Sequence, residues 1–498
     1  MNLYKNFSFM QSKVQKRPAG SHLTHVLNHK THKAIRWCTP SIDLSSSQVR
    51  NPYLSDTSIS YQSLGYPSEP SGIFKKIYEH AAVAYGADHT LFSVNGTTGS
   101  NFIVLRALSK QLPNLRILAQ RNVHRSVVVA CEDYGINLIF LSPKLDNENQ
   151  IFIPNTEEQI IEGIKKTKPQ VLLLTNPTYE GITLNLKKIV TRIRNEYPKV
   201  IIFIEEAWGS HLHFSKKLPI SAMEAGADIC VQSTHKQGGA LQQSGMIHWK
   251  NDRINLDLLM DSYRNLSTSS PSFILLASLD AAREMMEKKG TEKIDHILTI
   301  AEQLRKKVKN VKGFEIVSTD KLKKTNPSIY QRDESKIIIN VTQTGYTGFE
   351  VASILEKKYR IIVEKYNANT ILILVPFRAT LKDVELTINA LQEIAKMPKE
   401  IKKQTQMDLM MPTKIPRILE LSDVAKLLWS QVEKVPLTSA KGRIAAEYIT
   451  PFPPGIPVTI KGEELTSEIV DYYLKLKDYP NAHISAEDKS LETVLVVK

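Results

Sequence analysis

Short, nearly unbroken apolar runs alternate with helical patterns from about Ser71 to Ile204. Gly72 to Tyr85 places apolar residues at helical spacing and closes at Gly86, a natural C-terminal glycine. Thr90-Leu91-Phe92-Ser93-Val94 then has the make-up of a strand, and a Gly-Thr-Thr-Gly turn leads into the apolar helix Phe102 to Leu108. Further strands are predicted at Leu115 to Ala119, Ile136 to Leu141, Val171 to Thr175, Val200 to Ile204 and Ala227 to Val231, with helices at Glu157 to Thr167 and Leu186 to Glu196. Strands apolar on both faces, separated by helices, form a mostly parallel sheet covered on two sides. Ligands of such α/β sheets bind at the carboxyl ends of the strands.

The pattern changes after Pro271. Helices are predicted from Phe273 to Glu287 and from Ile294 to Val311, then strands at Phe314 to Ser318 and Ser335 to Thr342. A helix Gly348 to Lys357, a strand Ile371 to Val375 and a helix Leu381 to Ala395 complete an α+β unit. Met397 to Pro416 is polar, basic and proline-bearing, as a linker is. The expected division is a basic N-terminal arm over 1–70, a major domain over 71–290, a small α+β domain over 291–400, a linker over 401–416 and a last domain over 417–498.

Composition adds three points. No apolar run reaches the eighteen or so residues of a membrane span, so no membrane is expected as a partner. The cysteines (Cys38, Cys131, Cys230) are odd in number and lack metal-ligand spacing, which suits a reducing, cytoplasmic setting and no metal site. The net charge of +14 is uneven: residues 1–36 hold seven Lys and Arg and no acidic residue. A subunit arm, a transit-type presequence and a nucleic-acid tail compete for that segment. It lacks the apolar core of a secretory signal and the interleaved aromatics of a single-strand nucleic-acid surface, which favours an arm or a pocket segment and no nucleic acid.

Chemistry concentrates at the predicted strand ends. Ser233-Thr234-His235-Lys236 follows the run Ala227 to Val231. A lysine there, among hydroxyl and imidazole groups, suits a Schiff base with an aldehyde cofactor whose phosphate Ser233 and His235 would hold; an exposed lysine past a strand end is the plain alternative. The turn Asn95-Gly96-Thr97-Thr98-Gly99 aims backbone N–H groups and two hydroxyls at one point, a phosphate cradle or simply a helix cap. His124, after the strand Leu115 to Ala119, is placed to stack on a ring, although lone histidines there are commonly caps. Glu205 ends the run Val200 to Ile204 and could keep a pyridine nitrogen protonated; it could equally be a surface carboxylate. Together the four features specify pyridoxal 5'-phosphate better than any nucleotide.

A resemblance then carries further. Gln232-Ser-Thr-His-Lys236 with Gly245-Met-Ile-His248 resembles the lysine segment of the ornithine/lysine/arginine decarboxylase family, in its short arginine-decarboxylase-like members. Asn95-Gly-Thr-Thr98, Arg121-Asn-Val-His124, Thr175-Asn-Pro-Thr-Tyr179, Leu218 to Asp228 and Ser269-Ser-Pro-Ser-Phe273 are similar to further family segments. Gly442 to Glu447 and Pro451 to Pro457 with Gly462-Glu463 resemble its C-terminal domain. The likeness runs from about Ser71 to Glu463 and is thin between about 290 and 430. It implies the aspartate-aminotransferase fold (fold type I), with Lys236 binding the aldehyde and His124 stacking on the ring. It also implies that Gly96, Thr97, Thr98, Ser233 and His235 hold the phosphate, and that Ser269 reaches a neighbouring subunit's phosphate in a homodimer or higher homo-oligomer.

Three departures stand out. The family has an aspartate where this chain has Glu205, and Trp208 stands where many short members have histidine and large members tryptophan. The family's N-terminal Pro-Gly-His-Lys-type segment has no clean counterpart; His25 to His32 lies roughly in its place. The implied reaction is α-decarboxylation of a basic amino acid, arginine first and then lysine or ornithine, giving a polyamine or its precursor. The alternatives are oxidation, desaturation or transamination of the same substrate on the same cofactor, and a degenerate, non-catalytic subunit.

Overall fold

The computed structural model describes residues 34–42, 55–60, 64–142, 144–250, 253–397, 412, 415–452, 456–477 and 483–498. The segment His25 to His32, nearly all of the expected linker, and much of the expected N-terminal arm lie outside these residues.

A seven-stranded sheet organises the major domain: β1 (His89–Ser93), β2 (Arg116–Gln120), β3 (Asn137–Leu141), β4 (Val171–Thr175), β5 (Ile201–Glu205), β6 (Ile229–Gln232) and β7 (Gly245–Trp249). Their spatial order is β1-β7-β6-β5-β4-β2-β3. Every pairing is parallel except those of β7, which runs antiparallel to β6 and β1. β4 and β5 are buried along their whole length, which is why they read as unbroken apolar runs. Helices cover both faces and build two cores, one around Phe92, Leu105 and Val127 and the other around Leu172, Ile189 and Ile202. The β7 strand was not expected, because Gly245 and His248 break the apolar pattern that marks its neighbours.

Two expected helices are one. A single helix runs from Phe273 to Val308, through the position where the major and small domains were expected to divide. Gly290 does not interrupt it. The helix presses there on Phe214, whose Cβ would lie 2.8 Å from any Cβ at position 290. Glycine is therefore a packing requirement and not a stop signal.

The small domain holds a four-stranded antiparallel sheet, β8 (Glu315–Ile316), β9 (Lys336–Asn340), β10 (Lys365–Tyr366) and β11 (Thr370–Leu374), in the order β8-β9-β11-β10. Beside it Ile35–Trp37 pairs in parallel with Ile361–Val363. Trp37 is fully buried and donates its indole N–H to Thr387 Oγ1 at 2.8 Å. This part of the N-terminal segment is thus built into the small domain.

The last domain pairs Val432–Pro436 with Thr493–Val497 and Thr450–Phe452 with His483–Ser485. The helix Ser467–Leu476 packs on these strands, and Ile469, Tyr473 and Val496 lie in their common core. Among the described residues no helix is long and apolar enough to cross a membrane.

Candidate active site

The carboxyl edge of the sheet delivers the polar groups. Glu205 closes β5 and stands beside Thr175 of β4, whose Oγ1 donates to Glu205 Oε2 at 3.3 Å. Burial raises the Glu205 carboxyl above its ordinary range, against the pull of Lys236. Lys236 lies in the one-turn helix Thr234–Gln237 after β6, and its backbone carbonyl accepts from Ser41 N at 3.0 Å. Its Nζ is 3.8 Å from the centre of the Trp208 ring. Burial, partly offset by Glu205 and Glu364, brings its pKa down to about 8. A lysine that loses its proton that readily is a usable nucleophile near neutral pH.

The cradle at the start of the helix Gly96–Gln111 is compact. Gly96 has φ +59°, a backbone that favours glycine, and a Cβ there would sit 3.7 Å from His235 Cε1. Thr97 Oγ1 lies 2.7 Å from Ser233 Oγ, and Thr98 stands exposed in the first helical turn. Gly96 N already donates to the Gln243 carbonyl at 2.6 Å, and the helix N-terminus adds the positive end of the helix dipole. His235 Nδ1 donates to the Ser244 carbonyl at 2.8 Å. The ring can therefore offer a second N–H only when charged, and burial lowers its pKa to about 4. A nearby dianion would reverse that shift. Hydroxyls, amides and an inducible imidazolium are the donor set that a phosphate ester needs, so these residues fit the phosphate of pyridoxal phosphate.

His124 caps the helix Arg125–Asp133. Its Nδ1 accepts from Ser126 N at 3.2 Å and lies 2.8 Å from Ser126 Oγ, which in turn accepts from Asn101 Nδ2 at 2.9 Å. The proton of the neutral ring therefore sits on Nε2. Burial, with Lys236 and Arg125 nearby, lowers its pKa to about 4.

One cavity of about 260 Å³ is lined by His124, Glu205, Trp208 and Lys236. Ser269 does not line it; that residue is exposed beyond the helix Leu256–Leu266. The cavity has further walls to which sequence reasoning assigned no role. Glu364 follows the strand Ile361–Val363, is half-buried, accepts from Tyr179 Oη at 2.8 Å and from Thr39 N at 2.7 Å, and has its pKa raised by desolvation. Among the described residues it forms no ion pair, whereas Glu180 is closed by Lys365 Nζ at 2.5 Å. Lys336, fully buried, places Nζ 4.1 Å from the Trp208 ring centre and donates to the Tyr179 carbonyl at 2.9 Å. Its pKa falls to about 8, chiefly through burial. Ile456 adds a wall from the last domain. Glu364 did carry a signal, a carboxylate ending an apolar strand in the manner of Glu205.

Comparison with known proteins identifies the family and the fold. Residues 50–383 match the family described as Orn/Lys/Arg decarboxylase, major domain, and residues 403–483 match Orn/Lys/Arg decarboxylase, C-terminal domain. The chain is 35% identical over 431 residues to an arginine decarboxylase of Bacillus subtilis (strain 168), covering 86% of each protein. It is 34% identical over 436 residues to an arginine decarboxylase of Bacillus anthracis, again over 86% of each. Among solved structures, the constitutive lysine decarboxylase of E. coli superimposes with a TM-score of 0.75 at 22% identity, over 90% of this chain and 76% of the other. That likeness establishes a shared fold. With both family segments matched in order, and relatives this similar over most of its length, the chain belongs to the Orn/Lys/Arg decarboxylase family.

Proposed function

We propose that this chain uses pyridoxal 5'-phosphate to decarboxylate a basic amino acid, arginine by first choice, giving the corresponding amine, a polyamine or its precursor, and CO2. The observation that carries the substrate class is Glu364, a half-buried carboxylate in the wall of the Lys236 cavity that forms no ion pair among the described residues. A substrate side chain bearing a guanidinium or ammonium supplies that missing charge. The Bacillus relatives named for arginine decide the first choice.

Each residue has a task. Thr97, Thr98, Ser233 and His235 hold the phosphate at the Gly96 cradle. Lys236 would bind the aldehyde carbon and His124 would cover one ring face, while Trp208 packs beside Lys236 and Lys336. Glu205 would hold the ring nitrogen, its extra methylene making up for a strand end set further back than the family's aspartate requires. When bound, the cofactor supplies an electron sink for the α-carbon. Lys236 and His124 both line the cavity; Lys236 could return a proton to the α-carbon once CO2 has left, and His124, neutral near pH 7, could do so only when charged.

We place the reaction in the cytoplasm, in keeping with three free cysteines, and in a homodimer, in keeping with an exposed Ser269 beyond its own cavity. Aerobic incubation of the cofactor-loaded protein with arginine, lysine and ornithine, read by mass spectrometry, tests the reading. The expected product is an amine lighter by CO2 that disappears in Lys236→Ala. Oxidised or keto products would overturn decarboxylation and point to Glu205, in place of the family's aspartate, as the mark of a changed reaction.

A further inference from the structure

The last domain grips one short stretch of the major domain, residues 121–132, at three points. Arg121 donates Nη1 to the Pro457 carbonyl at 2.8 Å, and Nη2 to the Val458 carbonyl at 3.0 Å and to Glu463 Oε2 at 3.1 Å. The Glu463 carboxylate also accepts from Ile460 N at 2.8 Å, so the turn 457–463 is folded around the guanidinium. Arg121 and Glu463 are 7% and 2% exposed, which makes this a built-in contact and not a surface pair. From the sheet side the Arg121 guanidinium lies 5.1 Å from the Phe140 ring centre. Arg125 forms the second grip, over the Tyr448 ring at 5.5 Å and donating to Ser485 Oγ at 3.3 Å. Glu132 forms the third, accepting from Lys461 Nζ at 2.8 Å and from the Tyr448 hydroxyl.

Two residues of the candidate site are tied to these grips. His124 lies between Arg121 and Arg125, on the irregular loop that follows β2. Ile456, directly before the gripped carbonyls, lines the cavity with Lys236. We infer that Arg121 is a positioning residue: by holding the Pro457 and Val458 carbonyls it seats the last domain as a wall of the cavity and fixes the loop that carries His124. Arg121 does not line the cavity, so it acts through these two neighbours. The backbone of a loop is oriented only by what holds it, and here a planar fork satisfies two carbonyls and a carboxylate together. A lysine ammonium cannot reproduce that geometry. The inference rests on the proposed cofactor site, since His124 and Ile456 matter only if that cavity is used.

The test uses the full chain loaded with pyridoxal phosphate, as wild type, Arg121→Lys and Ile456→Ala. Arg121→Lys is expected to raise KM for the substrate and the cofactor dissociation constant about tenfold each. It is also expected to weaken the visible circular dichroism of bound cofactor and to speed amide hydrogen exchange at 121–126 and 456–463. Ile456→Ala leaves the guanidinium contacts intact and is expected to raise KM while leaving the cofactor signal in place. An Arg121→Lys protein with a lowered melting temperature but native KM, cofactor signal and exchange would overturn the inference, because Arg121 would then be only structural. A native KM in Ile456→Ala would overturn the wall even if Arg121→Lys failed to fold. Should the wild type take up no cofactor, the proposed function falls, while the exchange measurement on the unloaded chain still decides whether Arg121 holds these loops.

Discussion

Replacing Glu364 by glutamine removes a charge from the cavity wall while keeping the side chain's size. The carboxylate accepts from Tyr179 Oη at 2.8 Å on one oxygen and from Thr39 N at 2.7 Å on the other. Glutamine can accept on one side only and turns an N–H₂ group toward the second donor, so its hold on the wall also loosens. A hydrogen bond to a charged partner contributes about 1.5–3 kcal/mol, and breaking a buried charge pair costs about 2–5 kcal/mol. A middle value of about 3 kcal/mol corresponds to a fall of about a hundredfold in kcat/KM for arginine, at about 1.4 kcal/mol per factor of ten. Citrulline, with a neutral ureido group in place of the guanidinium, has no charge to lose and is expected to change by less than about threefold. The assay is initial-rate CO2 release for both amino acids, with wild type and Glu364→Gln side by side. Equal losses for the two substrates, or an arginine loss below about fivefold, would refute Glu364 as the partner of the substrate cation.

Other outcomes follow from the same geometry. The rate at which unloaded protein captures pyridoxal phosphate is expected to rise with pH to a midpoint near 8, set by the depressed Lys236, and a midpoint near that of free lysine would contradict this. Glu205→Gln is expected to keep the phosphate contacts and bind cofactor while losing about a hundredfold in kcat, with Glu205→Asp largely active; equal kcat in the two would remove Glu205 from the ring nitrogen. His248 is fully buried, lies 2.7 Å from Thr90 Oγ1 and has its pKa lowered to about 3, so the native state refuses a proton that the unfolded chain binds. Its contribution to stability is complete above pH 6.5 and is lost as pH falls toward 3, about 3 kcal/mol of it by pH 4 at 1.36 kcal/mol per pH unit; denaturant midpoints across that range, compared with His248→Gln, check it. Gly290→Ala is expected to cost about 1–3 kcal/mol despite the better helix propensity of alanine, because the new methyl meets Phe214 Cβ, and an unchanged melting temperature would show that the helix can shift.

The parts legible in the chain were those whose physics is local. β4 and β5 are buried on both faces and so read as apolar runs, and the helices Glu157–Thr167 and Leu186–Glu196 fall where their periodicity put them. Fold class and family followed from the strand-end residues around Lys236, and the comparisons bear both out. What escaped was whatever needed two distant segments at once. Glu364 reaches the cavity from the small domain and Lys336 packs on its wall residue Trp208, and a charged residue at a strand end or start looks like surface until its neighbours are known. Thr39 and Ser41 sit in a stretch whose basic charge drew attention away from its backbone, although that backbone contacts Glu364 and Lys236. The two helices expected at Phe273 to Glu287 and Ile294 to Val311 are one, because the glycine between them serves a close approach by Phe214 that the sequence does not show.

The unbroken helix Phe273–Val308 bears on how such enzymes can be recombined. At 1.5 Å per residue, its 36 residues form a rod of about 54 Å that begins in the major domain and ends under the small-domain sheet. Near its start, Ser278 Oγ accepts from Leu241 N, just after the Lys236 turn; near its far end, Arg305 donates to the Lys336 carbonyl at 3.0 Å. A chimera joined at 290 would splice two half-rods of different parentage between the turn that carries Lys236 and the strand that begins at Lys336. Crossovers placed at Ser272 and after Lys309 transfer the rod whole, so the flanking domains, with Lys236 and Glu364, stay of one parentage around it.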